Sequence, residues 1–270
     1  MATDMTRNGL ALHTWTLDTT PLDEVLRVTK LTGWDAVELR RVDFTRAQEA
    51  SRSAADVIAL VRSSGLAVSA VGVESGWMFA DGTERRRLLD VFAESSRAAG
   101  ALGSAVVMSP VDRGGGPVRQ AAANVREGGD IANEHGVRLA LEFNSQAEQL
   151  NTLDRVREEL AVAGHAHAGL LLDTYHLQGS GAVPRDLEDV APIDIAYVQY
   201  SDVPRSGLQP GMTLDRLPPG RGVVPFREFF SLLASKYRGY LSYEAPNPAA
   251  WARPPEGVER EALEATRALL

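Results

Sequence analysis

Eight short runs of β-forming residues recur along this chain at nearly even intervals, and that rhythm limits the fold more than any other feature. They are GLALHTW from Gly9, WDAVEL from Trp34, LAVSAVGV from Leu66, SAVVMS from Ser104, VRLALEF from Val137, GLLLDTY from Gly169, IAYVQY from Ile195 and GYLSYE from Gly239. Their starts lie about 33 residues apart on average, the length of one strand–helix unit in a parallel α/β protein. Most are almost continuously apolar, as strands covered on both faces must be. Helical patterns fill the intervals. Thr20-Pro21 places a Pro at a first turn, Asn151-Thr-Leu-Asp154 resembles a capping box, and residues 225–237 carry Phe226, Phe229, Phe230, Leu232 and Leu233 at helical spacing. Gly33, Gly65, Gly103, Gly136 and Gly239 stand at or just before strand starts, where helix-ending turns favour a left-handed residue. The pattern predicts one domain over residues 1–270, an α/β fold of the single (β/α)8 TIM-barrel type. An open, doubly wound sheet is the competitor, and the first βα turn lacks the GxGxxG of a dinucleotide-binding sheet.

Composition narrows the function. The formal net charge is −8, which argues against broad contacts with nucleic acid or an anionic membrane. Cys is absent, so disulfides, thiolate metal sites and cysteine nucleophiles are excluded. Lys occurs only at Lys30 and Lys236, which leaves almost no candidate for Schiff-base chemistry. The opening MATDMTRNGLALHTW has neither the basic start nor the apolar stretch of a secretory signal, and no run reaches the length of a membrane helix. The expectation is a cytoplasmic protein acting on a small molecule, without nucleic-acid or membrane partners. Homo-oligomerisation is left open.

In a parallel barrel the chemistry collects at the C-terminal ends of the strands. Polar residues stand there as His13, Glu38, Glu142, Asp173, Gln199 and Glu244. A carboxylate inside an apolar strand is costly unless it is paired or holds a metal. The last four runs each end in an oxygen donor, and strands about 4.8 Å apart let such donors converge. Glu142, Asp173, Gln199 and Glu244 are therefore expected to hold one divalent ion. An all-oxygen set suits a hard cation, Mn2+ or Mg2+, with Co2+ or Zn2+ as further candidates. His176, three residues after Asp173, is expected to contact substrate from the strand-to-helix turn; the alternative is that it caps that turn. Arg216, on the long loop after the seventh run, is expected to bring its planar charge to substrate oxygens. His13, Trp15 and Glu38 would line the other side of the pocket. His165 and His167 precede the sixth run and belong to the opposite end of the barrel.

The segments GWDAVELR, LALEF, LLLDTYHL, YVQYSDVP, LPPGRGVVPF and GYLSYEAP resemble the xylose isomerase-like TIM-barrel superfamily of sugar phosphate isomerases and epimerases. The resemblance runs over nearly the whole chain, and its most specific part is the ordered set Glu142, Asp173-x-x-His176, Gln199 and Glu244. It implies that Glu142, Asp173 and Glu244 bind the metal. The seventh-strand ligand is commonly His in that family and is Gln199 here, as in the hydroxypyruvate isomerase and 3-dehydroshikimate dehydratase branches. The final stretches also look similar to the dehydratase branch, whose substrate-binding Arg corresponds to Arg216. The fifth run continues EFNSQ, without the His of some dehydratases.

The implied activity is metal-dependent isomerisation or epimerisation of a sugar or sugar phosphate. A Glu removes the proton beside a carbonyl, an enediolate forms, and the metal spreads the developing charge as a Lewis acid. Glu142 and Glu244 are the acid–base pair on this reading. The alternatives are a dehydratase (a carbon–oxygen lyase) of a cyclic keto-polyol such as 3-dehydroshikimate or an inosose, and a non-catalytic sugar-binding barrel.

Overall fold

The protein is described from a computed structural model that covers Met5, residues 8–206 and residues 213–270. The eight apolar runs form β1 (Leu10–His13), β2 (Ala36–Leu39), β3 (Ala67–Gly72), β4 (Val106–Pro110), β5 (Arg138–Glu142), β6 (Ala168–Asp173), β7 (Ile195–Tyr200) and β8 (Leu241–Tyr243). They pair in chain order, and β8 closes back on β1. Each pairing is parallel. The closed barrel displaces the open-sheet alternative.

The helices are α1 (Leu22–Thr32), α2 (Arg41–Glu49), α3 (Ala54–Ser64), α4 (Gly82–Ala101), α5 (Val118–Glu134), α6 (Leu153–Ala163), α7 (Thr174–Gly179), α8 (Phe226–Leu233), α9 (Pro248–Trp251) and α10 (Pro255–Arg267). Local chemistry sets their ends. Ser53 Oγ accepts from the Asp56 N–H, and Asp56 Oδ2 accepts from the Ser53 N–H, a reciprocal cap that starts α3. Gly33 and Gly65 close α1 and α3 at φ of 92° and 69°, a conformation that costs other residues a clash at Cβ.

Two expected details differ. Thr152, rather than Asn151, caps α6 by accepting from the Arg155 N–H, because its hydroxyl is the one that reaches the third helical amide. Gly239 does not take the left-handed conformation; a Cβ there would collide with the Tyr237 hydroxyl, so close approach is what requires glycine. The apolar stripe of α8 is buried through Phe226, Phe229, Phe230 and Leu233. Each such side chain contributes about 1.5–3 kcal/mol by leaving water.

The apolar interior is in two parts. The larger fills the space between strands and helices, including Phe92, Phe143, Phe226 and Phe230. The smaller, Ala70, Met108, Ala140, Leu171, Ala196 and Tyr197, is separate. Strand side chains alternate with a period of two, so Ala140, Leu171 and Tyr197 share a face with Glu142, Asp173 and Gln199. The register sets Asp173 opposite Gln199 and His13 opposite Glu38, which brings the polar ends level. Among the described residues, no helix is long and apolar enough to cross a membrane.

Candidate functional site

A cavity of about 620 Å³ opens at the C-terminal ends of the strands, lined among others by His13, Trp15, Glu142, His176, Arg216 and Glu244. Of the four expected ligands, Glu142 at the end of β5 and Glu244 just past β8 line it, whereas Asp173 on β6 and Gln199 on β7 are fully buried and do not; all four are buried. His165 and His167 lie before β6, as expected, and His165 pairs with Asp130 at 3.1 Å, away from this cavity.

The charge at the centre comes from Arg216, which reaches deeper than a loop residue contacting only substrate would. Its guanidinium is buried and donates from Nη1 to Asp173 Oδ2 at 2.7 Å and to Glu244 Oε2 at 2.8 Å. It also stacks 4.3 Å from the Tyr175 ring centroid. Burial opposes its charge, but Asp173, Glu244 and Glu142 more than offset this and raise its pKa.

Burial is also the main cause of the carboxyl shifts. Glu142 is held well above the usual carboxylate range, with Glu244 and Asp173 adding like-charge repulsion. Glu244 is raised to about 7, with Arg216 pulling the other way. Asp173 has a second duty. Its Oδ1 accepts from the Tyr175 N–H and caps α7, so His176 is not the cap of this turn.

His176 is buried, and burial lowers its pKa to about 4, so it is neutral at pH 7. Its Nδ1 accepts from the Ser145 N–H at 3.3 Å, which assigns the proton to Nε2. Nε2 lies 3.7 Å from Glu142 Oε1 and 3.5 Å from Arg216 Nη2. Glu142, Asp173 and His176 each bring one ligand atom within 4.8 Å of the others. His176 thus sits within the cluster itself as well as on the cavity wall.

The expected far wall has a different design. Trp15 is half-buried and lines the cavity, and its backbone N–H donates to His13 Nδ1 at 3.0 Å. His13 Nε2 faces Glu244 Oε1 at 3.4 Å and Glu38 Oε1 at 3.7 Å. Burial, then Arg40 and Arg216, holds the His13 pKa well below its usual value. Glu38 is fully buried and is absent from the cavity lining. It is not a wall residue but lies against Gln199 and Tyr197. Gln199 Nε2 donates to its Oε1 at 2.8 Å, and the Tyr197 hydroxyl lies 3.1 Å from its Oε2. Burial raises its pKa to about 8. Tyr197 was not anticipated as part of the site, although its place two residues before Gln199 puts both on one strand face.

Two buried oxygens in this cluster, Gln199 Oε1 and Glu142 Oε1, have no hydrogen-bond partner. A buried acceptor left unpaired is expensive. Both stand in a set of three carboxylates and an amide whose positive charge comes from a guanidinium. The donor set and the two open acceptors fit a hard divalent cation.

The chain belongs to the xylose isomerase-like TIM-barrel family, whose model matches residues 26–269. It is similar to the inosose isomerase of Halalkalibacterium halodurans, 30% identical over 155 residues that make up 55% of this chain and 54% of that protein. It is also similar to the 3-dehydroshikimate dehydratase of Pseudomonas aeruginosa, 29% identical over 155 residues, 55% of this chain and 24% of that protein. The matches thus span about half the length of the first relative and a quarter of the second. Among solved structures, an IOLI protein with a bound zinc atom superposes with a TM-score of 0.85 at 19% identity, covering 97% of each chain.

Proposed function

We propose that this protein is a divalent-metal-dependent isomerase or epimerase of a sugar, sugar phosphate or related keto-polyol. The observation that carries this reading is the pairing of two buried carboxyls of raised pKa, Glu142 and Glu244, around one cavity, with Asp173 and Gln199 completing an oxygen donor set. Those four residues would hold the ion, with His176 at the edge of the set. When bound, a Mn2+ or Mg2+ ion supplies Lewis-acid polarisation of the substrate carbonyl.

The side chains supply the rest. One Glu takes the proton from the carbon beside the carbonyl, and a pKa raised by burial suits a group that both takes and returns it. Return to the neighbouring carbon isomerises; return to the opposite face by the other Glu epimerises. Neutral His176, with its Nε2 proton facing the cluster, donates to a substrate oxygen. The Arg216 guanidinium balances the negative charge that develops there.

A dehydratase is the second reading, and one observation favours it. Arg113, exposed on the loop after β4, lines the same cavity and has no ion-pair partner among the described residues. Such a guanidinium suits a substrate carboxylate, as in 3-dehydroshikimate. The test is ¹H NMR in D₂O of candidate ketoses, inososes and 3-dehydroshikimate with the protein and Mn2+. Deuterium uptake without loss of water supports isomerisation or epimerisation. Loss of water with a new conjugated enone from an inosose, or with new aromatic protons from 3-dehydroshikimate, which is already an enone, supports elimination, and no change in any of them overturns both readings.

A further inference from the structure

The Gln199 amide can present either its oxygen or its NH₂ to the cluster, and only the oxygen can bind a cation. The side chain is fully buried, so its orientation must come from its neighbours. Nε2 donates to Glu38 Oε1 at 2.8 Å, which leaves Oε1 as the atom without a partner. On the other side of the Glu38 carboxyl, the Tyr197 hydroxyl lies 3.1 Å from Oε2 and 2.7 Å from Ser69 Oγ. If Glu38 carries a proton, Oε2 can hold it and donate to Tyr197, which passes its own hydroxyl proton on to Ser69. Oε1 remains an acceptor with or without that proton.

We propose that Glu38 is a positioning residue: by accepting from Gln199 Nε2 it fixes the amide with Oε1 toward Glu142, Asp173 and Glu244, and so makes Gln199 a metal ligand. A group that orients a ligand without touching the ion commonly governs affinity 10- to 100-fold. The inference rests on the metal-site reading above and adds a role for a residue outside it. Glu38 comes from β2, and its target stands on β7.

The test is calorimetric titration of the purified protein with Mn2+ alone, with no substrate present. Glu38→Met removes the acceptor at similar length and should weaken Mn2+ binding about 10- to 100-fold. Glu38→Gln keeps a carbonyl that can accept from Gln199 but removes any negative charge, and should recover most of the loss. If the loss came from charge alone, Glu38→Gln would bind as poorly as Glu38→Met. In a Gln199→Ala background, Glu38→Met should have little further effect, since the amide it orients is gone.

Tyr197→Phe provides a milder probe in case Glu38→Met does not fold. It should weaken binding in the same direction, by less, and again only while Gln199 is present. Unchanged affinity in the folded Glu38 variant, or an equal loss with and without Gln199, overturns the inference. Wild-type protein that binds no Mn2+ overturns the metal-site reading itself, whereas tight wild-type binding indifferent to Glu38 removes only the positioning role.

Discussion

Replacing Arg216 with Met should destabilise the metal-free protein and, at the same time, tighten its grip on a divalent ion. The guanidinium lies 2.7 Å from Asp173 and 2.8 Å from Glu244, and all three side chains are buried. Removing one partner of such a set costs about 3–5 kcal/mol, because the remaining charges stay buried and unpaired. Glu142 and Glu244 can relieve part of this by holding protons, as their raised pKa values allow, which places the expected loss near the lower limit. For a chain of this size, ~3 kcal/mol corresponds to a fall in Tm of roughly 5 °C. Met keeps most of the length and the apolar contact of the stem, so the loss reports the charge rather than a cavity.

An ion entering between Asp173 and Glu244 competes with the guanidinium for the same oxygens. Without that competitor, Mn2+ should bind roughly 10- to 100-fold more tightly. Its stabilisation at a fixed concentration should then be greater than in wild type by about 1.4–2.7 kcal/mol. Differential scanning calorimetry in EDTA and in excess Mn2+ measures both effects. A variant within 1 kcal/mol of wild type in EDTA, or one that gains no more from Mn2+ than wild type does, would refute the reasoning.

Further outcomes follow from the same geometry. The Glu142→Gln, Glu244→Gln double variant should lose most of its metal, as read by elemental analysis after dialysis; full occupancy would remove both from the ligand set. His176→Ala should lower kcat/KM about 10²-fold on a confirmed substrate, roughly 2.7 kcal/mol of transition-state stabilisation, whereas wild-type kinetics would deny it a role. Glu38 sets a pH dependence in metal-free protein. Its folded pKa is raised from 4.5 to about 8, so its contribution is fully present below 4.5 and is lost as pH rises through 8. Urea unfolding should therefore show Glu38→Gln gaining on wild type by a few kcal/mol between pH 5 and 9; a constant difference would show that Glu38 is not held in this way.

Much of this architecture is readable from the linear chain, for specific reasons. The strands are legible because buried parallel strands are nearly continuous apolar runs, and the row of polar strand ends is legible because a polar residue at the end of such a run is anomalous. Tyr197 could have been found by the same two-residue period that marks Gln199. Arg216 could not. A long side chain on an irregular loop has no periodicity to fix its direction, and its burial follows from three carboxyls contributed by distant segments. Glu38 was legible as a polar strand end but not as a support for Gln199, because the β2–β7 contact exists only inside a closed barrel. The one-residue displacement of the α6 cap from Asn151 to Thr152 reflects a choice between two capable capping residues, settled by which of them reaches the Arg155 amide.

The order in which the strands leave the ribosome gives the site a position in time. Its oxygen donors come from the last four staves, and their support comes from the first two. A nascent chain with six strands complete holds Glu142 and Asp173 but has neither Gln199 nor Glu244, and nothing yet joins its first stave to its last. Glu38 waits in β2 for a partner 161 residues further on. The proposed cation centre would therefore be assembled only when the barrel closes, and an ion bound there would tie together the half of the chain that is made last.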